Sequence, residues 1–412
     1  MTEPLKLLSV NQFFYPDSYG GVERVAHETL RRLVERGHQV ELVGQRLQPD
    51  APDVETVDGI VVNRYGTLNG SRRFGGRTLA ALFGARGVLG RLARDRRFDV
   101  VLAHHYFPYY AYAGVVGTKR TPEVMTFHAS YWQELRLEGA DVSIGKPLES
   151  ALFGGLSRRA ESACLRRADR VVVLSDFSRE QLGSYYPLAL PKVVKIPGGV
   201  DLERFRPADD RAAVRRSLGL PDDRQVLFTA RRLVPRMGLE NLVDAFADVL
   251  DAHPDTILVI AGKGRLREPL IERGRELGLE DRLRLVGFVD DDELVSYYQA
   301  ADLFVLPSLA FEGFGMVTLE ALACGTPAVG TPIGATPEIL RPLAGQLVLT
   351  GTDAVAIRRG LSGVLEWISD EEAAGRFREQ CREYVEGRYG WDRAVDSLEG
   401  LLFELRDQGR RS

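Results

Sequence analysis

Cysteine is scarce in this sequence: Cys164, Cys324 and Cys381 are the only three in 412 residues. Their wide separation and odd number fit neither a disulfide framework nor a metal-ligand spacing. They read as reduced, mostly buried thiols of a cytosolic protein. Long apolar runs are missing too, and no stretch approaches the ~20 residues that cross a bilayer. The opening MTEPLKLLSVNQFF lacks a basic leader and a cleavage-site pattern, so it reads as a first strand and not a signal peptide. There is no G-x-G-x-x-G, which counts against a nicotinamide enzyme. A surplus of positive charge is also lacking, and the net charge of −4 argues against broad nucleic-acid binding. No short-period repeat and no low-complexity tract is present.

What is there is the composition of a globular protein, 44% hydrophobic and 27% charged. The length exceeds one ordinary core, so two domains are expected. Short β-branched runs alternate with longer helical patterns, which implies parallel sheets with crossover helices. Strands are expected at Leu5–Val10, Gln39–Val43, Gly59–Tyr65, Asp99–His104, Glu123–Phe127, Arg170–Leu174 and Val193–Ile196. Helices are expected at Val22–Arg36, Gly76–Arg94, Glu149–Ala168 and Ser178–Tyr185, with Gly37 as a C-terminal cap of the first. The segment Ile196–Pro207 (IPGGVDLERFRP) breaks the pattern and reads as a linker. The alternation restarts with strands at Gln225–Ala230, Thr256–Ala261, Arg282–Val286, Asp302–Pro307, Pro327–Gly330 and Gln346–Leu349. A helix from Gly238 carries Leu239, Leu242, Val243, Phe246, Val249 and Leu250 on one stripe. Helices at Asp370–Gly387 and Trp391–Arg406 have no strand between them, so the last is expected to return to the first domain. The expected domains are 1–197 completed by 391–412, and 198–390.

In parallel sheets ligands bind beyond the carboxyl ends of the strands, so the loops after strands should carry the chemistry. The first such loop ends in Gly20-Gly21 before a helix, which fits either contact with a diphosphate or a plain tight turn. The run DLFVLPSLAFEGFGMVTLEALACGTP is more informative. A buried strand ends at Pro307, and the loop Glu312-Gly313-Phe314-Gly315 opens a helix whose first amides would face an anion. Glu312 and Glu320 flank that helix start, eight positions apart. Carboxylates there suit sugar hydroxyls and a ribose; the plainer alternative is a cap and a solvated charge. His128 ends a strand, either as a functional group at a cleft edge or as a partner for a local carbonyl. His104 and His105 also end a strand without ligand-spaced partners, and read as structural or substrate-contacting, with no metal site. Tyr131, Trp132 and Arg136 fit an acceptor pocket or ordinary packing alike. The aromatics of HHYFPYYAYAG read as core and cleft wall.

The run with Glu312, Glu320, Ala321, Ala323, Gly325 and Pro327 resembles the E-x7-E signature of the family 4 glycosyltransferases. The stretches YGGVERVAHETLRRLVERGHQVEL, AGKGRLREPL, LVGFVDDDELVSYYQAADLFVLPS and GTPIGATPEIL are similar to that family in the same order, over nearly the whole chain. The resemblance implies an α/β GT-B fold: two Rossmann-like domains facing across a cleft, the first for the acceptor and the second for a nucleotide-sugar donor. It implies a retaining hexosyl transfer with no cofactor and no required metal. UDP-sugar is the favoured donor, with GDP-mannose next, and the acceptor a sugar, lipid-linked or small-molecule hydroxyl.

Carried onto this chain, the resemblance places Glu312 at the donor sugar and leaving-group side and Glu320 at the ribose. The amides of Gly315 and Met316 would meet the diphosphate, with Gly313, Phe314 and Val317 also binding the donor. Gly262 and Gly264 would line the donor pocket, and Val289 would lie beside the base. Gly20 and Gly21 would close on the phosphates, and His128 would contact the sugar near the reaction centre. The family's G-R-L-x-x-x-K-G run reads Arg231-Arg232-Leu233-Val234-Pro235-Arg236-Met237-Gly238 here. Met237 replaces the lysine and carries no charge. Arg232 and Arg236 are expected to neutralise the diphosphate together, with Arg231 an added cation at the donor. If they do not, the chain is a catalytically silent sugar-nucleotide-binding subunit; a sugar-nucleotide epimerase is the rival enzyme.

One surface feature stands apart. Arg72–Arg97 holds eight arginines against Asp95 alone, a net +7, interleaved with Leu79, Leu82, Phe83, Val88, Leu89 and Leu92. That pattern suits either an amphipathic surface on anionic lipid or a solvated helix with a core stripe. The first implies a cytoplasmic protein peripheral on the inner face of a membrane.

Overall fold

The short β-branched runs form parallel strands and the amphipathic runs form helices, in two units: residues 1–198 with 391–412, and 199–390. The structure is a computed structural model that describes residues 3–18, 20–48, 50–67, 74–117, 121–130, 133 and 147–411, without the side chains of 67, 74–83, 147–153 and 411. Tyr131, Trp132, Arg136, Arg72 and Arg73 lie outside the described residues, as do the side chains of Arg77, Leu79, Leu82 and Phe83.

Unit 1 contains β1 (Lys6–Val10), α1 (Gly21–Glu35), β2 (Gln39–Arg46), β3 (Val54–Val57), β4 (Ile60–Thr67), α2 (Phe74–Asp95) and β5 (Val100–Ala103). There follow α3 (Tyr106–Val116), β6 (Glu123–Phe127), α4 (Pro147–Arg167), β7 (Arg170–Val173), α5 (Asp176–Tyr185) and β8 (Val193–Lys195). The sheet order is β3-β4-β2-β1-β5-β6-β7-β8. All neighbours are parallel except the β3–β4 edge hairpin. Side chains alternate across the sheet. Leu8 and Val10 therefore join one core with Tyr65, Leu89 and Tyr109, and Leu5 and Leu7 join the other with Leu30 and Leu33. Gly37 follows α1 at φ 93°, the left-handed cap that glycine adopts without a Cβ clash.

Unit 2 contains α6 (Arg211–Ser217), β9 (Gln225–Ala230), a 3-10 turn (Pro235–Met237), α7 (Leu239–Val249), β10 (Thr256–Ala261), α8 (Arg267–Glu276) and β11 (Leu283–Gly287). Then come α9 (Asp291–Ala300), β12 (Leu303–Leu306), α10 (Met316–Ala323), β13 (Ala328–Gly330), α11 (Thr336–Leu340), α12 (Ala354–Trp367) and α13 (Glu371–Glu386). Its five strands run β11-β10-β9-β12-β13. The expected strand Gln346–Leu349 is instead a 3-10 turn, Gly345–Leu347, with a single bridge from Val348 to Gly330. Too few residues there lie extended to build a ladder.

The chain ends with α14 (Trp391–Arg411), which belongs to unit 1. Trp391, Val395, Leu402 and Leu405 form its buried stripe, and the last three share a core with Leu30 and Leu33. Each such burial stabilises by about 1.5–3 kcal/mol. A polar latch sits beside it. Leu5 N donates to His38 Nδ1 at 3.0 Å, so His38 Nε2–H donates to Glu399 at 2.8 Å. Arg36 adds a bond to Glu399 at 2.6 Å. Among the described residues, no helix is long and apolar enough to cross a membrane.

Candidate active site

Both sheets have a point where chain order reverses, between β1 and β5 in unit 1 and between β9 and β12 in unit 2. Loops leaving the carboxyl ends of those strands diverge and open a crevice. Of the expected site residues, Gly20 and Gly21 follow β1, Arg231, Arg232 and Arg236 follow β9, and residues 312–317 and Glu320 follow β12; the other described ones follow neighbouring strands.

In unit 2 the loop after β9 carries Arg231, Arg232 and Arg236, and the loop after β12 carries Ser308 and Glu312. Arg231 crosses the reversal point. Its Nη1 donates to Ser308 Oγ at 2.8 Å and its Nη2 to Glu312 Oε2 at 2.7 Å. Ser308 Oγ donates to the same Oε2 at 2.9 Å. The side chains of Arg231 and Glu312 are only 7% and 11% exposed. Arg231 was expected as an added cation at the donor, and its guanidinium bonds the Glu312 carboxylate. Ser308 escaped the sequence reading; its place directly after Pro307 at a strand end was the available signal.

The two loops are sewn together by backbone. Leu309 N donates to Arg236 O at 2.9 Å, and a Cβ on Gly238 would lie 1.8 Å from Pro307 O. Gly238 sits at φ 72°, so only glycine lets α7 start this close to the end of β12. Arg232 is exposed, and Arg236 is half-buried, with Nη1 3.5 Å from Phe311 O. Met237 is 6% exposed in its turn.

Gly262 and Gly264 follow β10 at the next strand end. Added Cβ atoms there would strike Arg231 O at 1.8 Å and Leu233 O at 2.2 Å. The missing side chains thus admit the neighbouring protein backbone. Gly287 ends β11 at φ 83°, ahead of half-buried Val289. Between them Phe288 is 51% exposed, with Lys263 Nζ 4.4 Å from its ring centroid.

Gly315, at φ 84°, opens α10, and no side chain caps that helix start. An uncapped first turn presents backbone N–H groups and partial positive charge to an anion. Gly313, Met316 and Val317 are half-buried around it, while Phe314 is buried edge-on to Tyr389. Glu320 lies inside α10, only 3% exposed, and accepts from Tyr298 Oη at 2.9 Å. It is no solvated surface charge.

In unit 1 Gly20 is the extended N-cap of α1. The buried Glu23 folds back, so that a Cβ on Gly20 would lie 2.3 Å from Glu23 Oε2. A Cβ on Gly21 would meet nothing within 4 Å. The close approach at Gly20 is thus used by a carboxylate of its own helix. His128, half-buried after β6, lies 3.2 Å by Nε2 from Nδ1 of His104, which follows β5. The two rings stack at 5.5 Å. Desolvation drives these imidazoles below their ordinary range: His104 to about 4, His105 to about 3 with the neighbouring His104 adding to it, and His128 well down. All three are neutral at physiological pH, so in the His104–His128 pair one nitrogen donates and the other accepts. His104 is thus the ring partner of His128. The aromatic run forms α3, where Tyr106, Phe107, Tyr109 and Tyr112 are buried and Tyr110 is 47% exposed.

Comparisons with known proteins give the family and the fold. The family described as glycosyl transferases group 1 matches residues 210–385, and glycosyltransferase family 4 matches residues 19–204. D-inositol 3-phosphate glycosyltransferase 1 of Catenulispora acidiphila is 31% identical over 402 residues, covering 95% of this chain and 92% of the relative. A GDP-mannose-dependent monoacylated alpha-(1-6)-phosphatidylinositol monomannoside mannosyltransferase of Corynebacterium glutamicum is 32% identical over 220 residues, 52% of this chain and 56% of the relative. Among solved structures, sucrose-phosphate synthase from Thermosynechococcus elongatus superposes with a TM-score of 0.80 at 22% identity, over 97% of this chain and 99% of that one.

Proposed function

The chain belongs to the family 4 glycosyltransferases, hexosyltransferases of GT-B fold that use nucleotide-sugar donors, and from that premise we propose a retaining transfer from a UDP-sugar. GDP-mannose is the next donor, in line with the mannosyltransferase relative. The acceptor is a hydroxyl of a sugar, a lipid-linked glycan or a small polyol such as an inositol phosphate, in line with the inositol phosphate relative. The observation that carries the reading is the Glu312 carboxylate, fixed through one oxygen at the chain-reversal point and followed directly by an uncapped helix start.

In the proposed reaction the bond from the anomeric carbon to the diphosphate breaks, and its electron pair leaves on the phosphate. The acceptor oxygen bonds the anomeric carbon on the same face, and its proton ends on the departing diphosphate. Catalysis is then positioning and stabilisation of the leaving charge. Glu312 accepts from donor-sugar hydroxyls. Arg232, Arg236 and the first amides of α10 stabilise the diphosphate. Glu320, oriented by Tyr298, holds the ribose, and Val289 lies beside the base. In unit 1, His128, paired with His104, contacts the sugar, and Gly20 and Gly21 serve the phosphates. No metal is part of this scheme. The basic helix α2 gives a peripheral hold on anionic membrane from the cytoplasmic side.

The test is incubation of the purified protein with UDP-glucose, GDP-mannose and ADP-glucose, with and without inositol 3-phosphate. Free nucleotide is scored, and the product's anomeric configuration is read by NMR. UDP release with retention is the expected result, and Glu312→Gln nearly abolishes it while the protein stays folded. No release from any donor, or a Glu312→Gln protein within a few-fold of wild type, refutes the reading.

A further inference from the structure

We infer that Arg231 is the positioning residue for Glu312, fixing the orientation of its carboxylate so that one oxygen is engaged and the other is left for the donor. This rests on the role given to Glu312 above. Arg231, Ser308 and Glu312 close a three-membered ring: Arg231 donates to Ser308 Oγ and to Glu312 Oε2, and Ser308 donates to that same Oε2. Oε2 is thereby held by two donors. Among the described residues no hydrogen bond reaches Oε1. Turning the carboxylate away from this orientation breaks both bonds, in a place where solvent reaches little of either charged group. The ring therefore presents one defined acceptor, Oε1, to an incoming hydroxyl.

Both ends of the ring are anchored in backbone. Arg231 N donates to Ala261 O at 2.9 Å, and Arg231 O lies where a Cβ on Gly262 would sit. Glu312 O accepts from Ala335 N at 2.8 Å. A guanidinium hung from such a point has little freedom, and its planar fork matches a carboxylate better than an ammonium does. Charge gives a second reason. A bare carboxylate ahead of a phosphate-binding helix start repels the diphosphate it must work beside. Paired with Arg231, the site is formally neutral there, and the anion is left to the helix amides and the outer arginines.

The experiment compares Arg231→Ala, Arg231→Lys, Ser308→Ala, Glu312→Gln and Arg231→Ala/Glu312→Gln, using whichever of UDP-glucose and GDP-mannose the wild type turns over. Donor kcat and KM are measured separately, with UDP or GDP affinity by calorimetry. Arg231→Ala should lose about 10²–10³-fold in kcat, the usual cost of one preorganised donor, with nucleotide affinity within a few-fold of wild type. Added guanidinium ion should restore part of the kcat, which a merely structural role does not allow. The double variant should be no slower than Glu312→Gln alone. An Arg231→Ala protein with wild-type kcat, beside an inactive Glu312→Gln, overturns the inference and leaves the role of Glu312 standing. An active Glu312→Gln protein overturns that role instead. If Arg231→Ala does not fold, Arg231→Lys and Ser308→Ala decide: both should lower kcat more than they raise KM, and unchanged kcat in both refutes the positioning role.

Discussion

Replacing Gly334 with alanine should slow sugar transfer by about two orders of magnitude, although residue 334 carries no reacting group. Gly334 sits at φ 62°, where an L side chain costs about 1–2 kcal/mol. An added Cβ would lie 2.0 Å from Glu312 O, 2.7 Å from its carbonyl carbon and 2.9 Å from its Cα. All three are backbone atoms, so no rotamer relieves the clash. Real Cβ contacts closer than 3.0 Å are essentially never seen, so Glu312 must withdraw by about 1 Å. The bond from Ala335 N to Glu312 O lies at the same place, and losing it costs about 1 kcal/mol more. Together these give a destabilisation of roughly 2–3 kcal/mol, and with Glu312 in its proposed role a carboxylate about 1 Å out of place is enough for the rate loss. Denaturant titration and turnover at saturating donor measure the two effects. Gly375→Ala is the control, since its Cβ would meet nothing within 4 Å inside α13 and should stabilise by roughly 0.5–1 kcal/mol. A Gly334→Ala protein with wild-type midpoint and wild-type turnover refutes the reasoning.

Arg232→Ala and Arg236→Ala should each cost about 2–4 kcal/mol in kcat/KM, and Met237→Lys should not raise activity, because residue 237 is buried in its turn. A silent Arg236→Ala together with a strongly activated Met237→Lys defeats that assignment. Arg86, Arg91 and Arg94 are exposed along α2, so binding to anionic vesicles should fall with salt and weaken on triple replacement by glutamate. Equal affinity for neutral vesicles counts against it. Burial raises the Glu399 carboxyl, but bonds from His38 and Arg36 outweigh this and hold it below its usual range. Its contribution to stability is therefore complete above the unfolded value of about 4.3 and is lost as pH falls through the lower folded value. Glu399→Gln should flatten the acid limb of a stability–pH profile; an unchanged limb means the latch is not coupled to folding.

Much of the architecture was legible because apolar period and chain breaks are local properties. The strands Glu123–Phe127, Gln225–Ala230 and Thr256–Ala261 lie at the bounds expected from their β-branched runs. The division of the chain at Gly198 falls inside the segment rich in proline and glycine. Leu250, expected on the α7 stripe, is only half-buried, because the helix has ended at Val249. The edge strand Val54–Val57 went unseen because VETV is short and half polar. Helix α3 went unseen because its aromatics show no clear period and Pro108 stands in its first turn.

The sequence by itself determined which residue types stand at strand ends: Gly20, His128, Glu312 and Gly315 were identifiable because a loop after a strand is a local pattern. The pairings were decided only by the tertiary structure. Arg231 and Glu312 are 81 positions apart, and His104 and His128 are 24 apart. No periodicity links them. Arg231 meets Glu312 because β12 bypasses β10 and β11 and pairs with β9, which sets the two loops side by side at the point where chain order reverses. Glycines 238, 262, 264 and 334 then let those loops close backbone to backbone, and that contact fixes where the arginine can reach.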